Sequence, residues 1–194
     1  MMLTGVHRCL VFLGVAGLLS LSAAPQPGSV QAKSAAQTAS GLSAADQRFV
    51  KEAAEGGMAE VELGRLAELK GSSDDVRKFG QRMVEDHSKA NDKLKELAAA
   101  KSITLPEQPN AQQEATKDRL MKLSGADFDK AYMRDMVQDH KKDVAAFRVE
   151  SKSGRDPDVR NFATTTLPTL RDHMKNAESI EPKVLPGPRS SGTR

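Results

Sequence analysis

The sequence predicts an all-α fold, an antiparallel four-helix bundle with an extra short helix in the long connection between helices 2 and 3. Three observations predict it. Residues 43–180 are rich in Ala, Leu, Lys, Glu and Met and poor in β-branched runs, a composition that favours helix over strand. Their apolar residues recur at helical spacing. The breaks between the periodic segments carry residues that start and stop helices.

The elements follow in order. Residues 1–24 read as a signal peptide: Met1 to Arg8 is basic, Leu10 to Leu21 is nearly all apolar, and Ser22-Ala23-Ala24 supplies small residues for cleavage. Ala32 offers a later cleavage position; a leader that is retained would instead be a single membrane anchor. Cys9 precedes the apolar stretch, so no lipid anchor is expected, and the mature chain has neither disulfides nor thiolate ligands. The expected location is the periplasm or another exported compartment of a bacterial envelope, with no integral span after cleavage. Residues 25–42 and 181–194 read as a flexible spacer and a disordered tail.

Ser43-Ala44-Ala45-Asp46 has the form of a capping box for the first helix, which Gly71 stops near Lys70. Ser72 to Asp75 opens the second helix, ending near Lys101. Asn110 caps a short helix over 111–123. Ser124 to Asp127 opens the next long helix, which Gly154 ends. Asp156-Pro157 starts the last, with proline at its first position, and that helix ends near Ile180. Asp75-Val76-Arg77-Lys78-Phe79 recurs as Asp158-Val159-Arg160-Asn161-Phe162, and Glu85 to Ala90 matches Arg171 to Asn176 after a three-residue offset. Two related helical hairpins would explain that self-similarity, as would a chance match of two helical patterns, and a kink is expected at Pro168.

The charge excludes one class of partner. The net charge is +3, basic runs are short, and aromatics do not alternate with arginine, so nucleic-acid binding is not expected.

Outside the leader the only histidines are His87, His140 and His173, each preceded by aspartate. Each lies on the apolar face of a different long helix, at ~100° per residue. Glu60 lies in the apolar stripe of the first helix. Glu60 is 11 residues before Gly71 and His87 is 16 after it; His140 is 14 before Gly154 and His173 is 19 after it. At ~1.5 Å per residue all four fall ~16–25 Å from one end, in a common layer. One acid and three imidazoles suit a single transition-metal ion such as iron or zinc. Asp143 shares the His140 face as a further ligand or an outer partner, whereas Asp86, Asp139 and Asp172 are expected to face an interface or water. A hydrogen-bonded polar layer without metal fits the same residues. Gly57, Val61 and Gly64 give the first helix a smooth flank where another helix could approach closely, or where a partner or small ligand could bind. A homo-oligomer or an envelope partner stays open.

The run Glu55 to Ala67, the segment Phe79 to His87, Phe128 to Tyr132 with Met136 to His140, and Leu167-Pro168 with His173 resemble the exported bacterial domain-of-unknown-function family 4142. The resemblance implies a ferritin-like bundle in the periplasm or outer envelope and no established activity. Ferritin-like bundles use Glu-x-x-His; here Val84, Val137 and Leu170 stand three before the histidines, which disfavours a di-iron oxidase. No nucleophile–base pair is recognisable, so an enzyme is not the expectation, and no small-molecule substrate is identified.

Overall fold

In a computed structural model of the chain the described residues are 41–185. The signal peptide, nearly all of the spacer and most of the tail lie outside them. Among the described residues there are five helices and no strand: α1 (Ala44–Lys70), α2 (Asp74–Ala100), α3 (Ala111–Met121), α4 (Gly125–Ser153) and α5 (Pro157–Val184).

α1 and α2 pack along each other as one hairpin and α4 and α5 as a second, with the hairpins meeting through α2 against α5 and α1 against α4. Glycine allows the tight contact inside the first hairpin. A Cβ on Gly64 would stand 2.8 Å from the Gly80 carbonyl oxygen, and one on Gly80 would stand 2.7 Å from that of Gly64. At Gly64 the smooth flank of α1 is therefore met by α2, the close helix approach that the small residues allow. A periodic pattern shows a flat helix face but not which neighbour uses it.

Two tight turns, at 71–73 and 154–156, lie at opposite ends of the bundle rather than at the single end that the depth count assumed. The connection between α2 and α3 and then α3 itself carry the chain back along α1. Asn110 reaches Glu55, Lys117 pairs with Glu62, and Lys70 donates to the Met121 carbonyl. Each turn is then held by a buried aspartate from the other hairpin. Asp129, near the start of α4, accepts from Ser72 N (3.0 Å), Ser72 Oγ (2.6 Å) and Ser73 N (2.8 Å). Asp46, near the start of α1, accepts from Arg155 N and Asp156 N, both at 3.0 Å. Ser43 does cap α1 through Asp46 N, but the Asp46 carboxylate is spent on the distant turn, so only half of the capping box forms. Arg77 and Arg160 repeat one further motif, each donating to the two carbonyls of its own turn. These matched clamps give the duplicated sequence a structural counterpart.

α5 continues through both Pro168 and Pro182. The helix therefore includes 181–184, which the sequence assigned to the tail. Pro182 lies in the last turn, where its missing N–H removes one helical hydrogen bond.

The apolar core falls into two clusters. One contains Phe79, Met83, Phe128, Tyr132, Met136 and Ile180, towards the α1–α2 turn. The other contains Phe49, Val50, Leu94, Phe147, Phe162 and Leu170, towards the α4–α5 turn. Between them, near the middle of the long helices, lie the buried residues Glu60, His87, His140 and His173.

Candidate functional site

Each long helix contributes one residue to this layer. Glu60 on α1 is 2 % exposed, His87 on α2 is 5 %, and His140 on α4 and His173 on α5 are 0 %. The expected layer forms although the depth count placed the turns wrongly. Mid-helix positions are almost equally far from both ends, so reversing one hairpin leaves them at the same height. The ring centroids are 5.2 Å apart for His87–His173, 5.4 Å for His140–His173 and 5.8 Å for His87–His140. One ligating nitrogen of each ring lies within 4.8 Å of the others.

The hydrogen bonds fix which nitrogen of each ring holds its lone pair. His140 Nδ1 is 3.0 Å from the Met136 carbonyl oxygen. A carbonyl only accepts, so Nδ1 carries the hydrogen and Nε2 holds the lone pair. His87 Nδ1 is 2.9 Å from Glu60 Oε2, and His173 Nε2 is 2.8 Å from Asp86 Oδ2. With both carboxylates accepting, the lone pairs reside on His87 Nε2 and His173 Nδ1. The three nitrogens left over, His87 Nε2, His140 Nε2 and His173 Nδ1, are buried and have no hydrogen-bond partner; neither does Glu60 Oε1. Burying an unsatisfied polar atom costs about 1–3 kcal/mol, so four in one layer demand an explanation.

The electrostatics keep the rings neutral. Burial pulls His87 down to about 4, against the attraction of Asp143, Asp86 and Asp139. His140 falls to about 3 through burial and the neighbouring His87 and His173. His173 falls to about 4, again chiefly through burial, although its bond to Asp86 opposes the shift. Neutral imidazole is the form that ligates a metal. Burial and then the charge of Asp139 push the Glu60 carboxyl well above its usual range. Asp143 rises likewise, through burial and then the charges of Glu60 and Asp139.

Of the aspartates that precede the histidines, Asp172 is exposed. The other two are drawn in. Asp86 crosses from α2 to α5, fixing the orientation of His173, and also lies 3.4 Å from Arg82 Nε. Asp139 joins Glu60 and Asp143 in a group whose carboxylate oxygens lie within 4.8 Å of one another. Helical periodicity alone assigned both to an interface or to water and could not choose, because a carboxylate one position off the apolar stripe still borders the adjacent helix. The Asp-His pairing was the available signal: at two of the three histidines it places an acceptor beside a helix–helix seam. A cleft of about 190 Å³ reaches the layer, lined in part by Phe49, Gly57, Glu60, His87, Asn91 and Asp143.

Fold and site together define a class: an all-α bundle carrying a buried three-histidine, one-glutamate layer. More particularly, the chain belongs to the DUF4142 family, a domain of unknown function, whose model matches residues 31–180. Its fold is similar to that of a DUF305 fragment from Deinococcus radiodurans, with TM-score 0.65 and 14% identity over 73% of this chain and 98% of that one. It is also similar to a DUF305 protein from Streptomyces coelicolor named as a candidate secreted protein, with TM-score 0.62, 11% identity and coverage of 72% and 92%. A candidate spore coat protein from Bacillus halodurans C-125 aligns with TM-score 0.58, 13% identity and coverage of 78% and 96%. At these identities the likeness shows fold alone. No curated protein matches the chain.

Proposed function

We propose that this domain binds one transition-metal ion, such as zinc or iron, through His87 Nε2, His140 Nε2 and His173 Nδ1, with Glu60 as the fourth ligand or the group beside it. The observation that carries the reading is the set of four buried unpartnered atoms. Three come from rings whose other nitrogen is already held by Glu60, Met136 or Asp86. Such outer contacts are how metal-binding histidines are usually oriented, and mixed imidazole and carboxylate ligation suits zinc and iron. A bound ion would supply Lewis acidity or redox chemistry according to its identity. The protein's own part is to present neutral imidazoles in a fixed tautomer and to exclude most water.

The domain is read as an exported metal-handling protein of the bacterial envelope. The leader-like first 24 residues support export, and among the described residues no helix is long and apolar enough to cross a membrane. The test is the metal content of protein purified without a histidine tag. The reading predicts stoichiometric metal that is lost in the folded double variant His87→Ala/His173→Ala; unchanged content in that variant rules the site out.

One observation favours a second reading. Glu60 Oε1 and His140 Nε2 are 3.4 Å apart, so a protonated Glu60 would direct a weak hydrogen bond to the ring. The layer would then be a structural device of a non-catalytic envelope or stress-related protein. It predicts a melting temperature indifferent to chelator, whereas a bound ion stabilises by mass action.

A further inference from the structure

Beside the histidines stands a second constellation with different chemistry. Glu60, Asp139 and Asp143 bring three carboxylate oxygens within 4.8 Å of one another, Glu60 buried and both aspartates half-buried. Among the described residues neither aspartate forms an ion pair with lysine or arginine, and Glu60 pairs only with His87 and His140. At about 4 Å two unit charges repel by roughly 4 kcal/mol at an effective dielectric of 20; the charge of Lys142 offsets this at Asp139 and hydrogen bonding between the carboxyls offsets it at Glu60 and Asp143, so the group is costly when all three are ionised. A buried atom from outside the group faces its shared residue. His140 Nε2, completely buried and without a hydrogen-bond partner, faces Glu60 Oε1 at 3.4 Å. Access exists on two sides: one cleft is walled by Glu60 and Asp143, another by Asp139 and Gln113.

We propose that Glu60, Asp139 and Asp143 hold a second divalent cation, of the hard, oxygen-preferring class typified by Mn²⁺ or Mg²⁺, beside the ion assigned to the histidines. Glu60 is the shared residue: Oε2 engages His87, Oε1 faces His140, and one of its oxygens lies within 4.8 Å of the aspartate oxygens. The two sites differ in ligand class. Three imidazoles select a borderline metal, and three carboxylates completed by water select a hard one. The histidine layer thus becomes one half of a two-ion centre, an inference that rests on the preceding reading for its neighbour but not for its own ligands.

The test titrates metal-free, untagged mature protein with Zn²⁺ and with Mn²⁺, separately and together. Retained metal is measured by mass spectrometry and bound Mn²⁺ by electron paramagnetic resonance. Wild type is expected to retain one ion of each kind. Asp139→Asn/Asp143→Asn should keep its zinc and bind Mn²⁺ at least tenfold more weakly, and Asp139→Asn alone should show the same trend if the double variant does not fold. His87→Ala/His173→Ala should lose zinc while still binding Mn²⁺. Mn²⁺ affinity unchanged by the aspartate variants, or wild type that takes no Mn²⁺ beside its zinc, overturns the second site and leaves the first standing. Zinc retained by the histidine variant overturns the first without touching the second.

Discussion

Asp86 gives the sharpest handle on the histidine layer. Its carboxylate takes the hydrogen of His173 Nε2 at 2.8 Å and so leaves the Nδ1 lone pair directed into the core. Asparagine at this position has nearly the same shape but no charge, and its amide can donate as well as accept. Donation to Nε2 would move the ring hydrogen to Nδ1, the tautomer that cannot ligate. Loss of such an outer partner usually costs 10–100-fold in metal affinity, or about 1.4–2.7 kcal/mol. Asp86 is a quarter exposed and water can replace part of its role, so the lower half of that range, roughly 10–30-fold, is the expectation for Asp86→Asn. The assay is competition for Zn²⁺ against a chromophoric chelator, with helicity checked by circular dichroism. A variant that folds normally and binds zinc within twofold of wild type would refute the tautomer argument and with it the assignment of His173 Nδ1 as a ligand.

Three further outcomes follow from the fold. Asp129→Ala removes three hydrogen bonds to a buried carboxylate at the α1–α2 turn and should cost about 2–4 kcal/mol; urea unfolding showing less than ~0.5 kcal/mol would contradict the clamp. Gly64→Ala sets a Cβ against the Gly80 carbonyl, so an overpacking cost of roughly 1–3 kcal/mol should outweigh the ~1 kcal/mol helix gain of alanine, and a raised melting temperature would count against it. Glu150 is buried, and burial followed by the charge of Asp46 raises its carboxyl. Below its unfolded value of about 4.5 both states are protonated; as pH rises past the higher folded value, the native state alone pays to ionise it. Glu150→Gln should therefore raise the melting temperature relative to wild type at pH 7 but not at pH 4, and an equal effect at both pH values would show that the group does not titrate on unfolding.

How much was legible in the sequence depended on whether a feature is local. Helix existence and the stop positions at Gly71 and Gly154 came from residues that act within a turn or two. The layer of Glu60, His87, His140 and His173 was also legible, because apolar periodicity reports which face is buried. What periodicity lacks is chain direction and the identity of neighbours. It could not show that the two tight turns sit at opposite ends, since that depends on where the connection from Lys101 to Ser124 runs. It could not tell that the Gly64 face meets Gly80, and so left it open to a helix, a partner or a ligand. Asp46 resembled half of a capping box because the acceptor lies three residues after Ser43; its actual work, at Arg155 and Asp156, is a contact across more than a hundred residues. Asp86 was missed for a related reason: a side chain at the edge of a helix face is assigned to solvent or seam only by knowing how close the next helix comes.

The central claim is that three imidazole nitrogens converge on one ion in the middle of the bundle. X-ray absorption at the zinc edge of the loaded, untagged protein tests it most directly. The account predicts a first shell dominated by imidazole nitrogen near 2.0–2.1 Å, with the multiple-scattering pattern of about three histidines, reduced to about two in His140→Ala. A shell of oxygen ligands alone, or the same spectrum in wild type and His140→Ala, would contradict it.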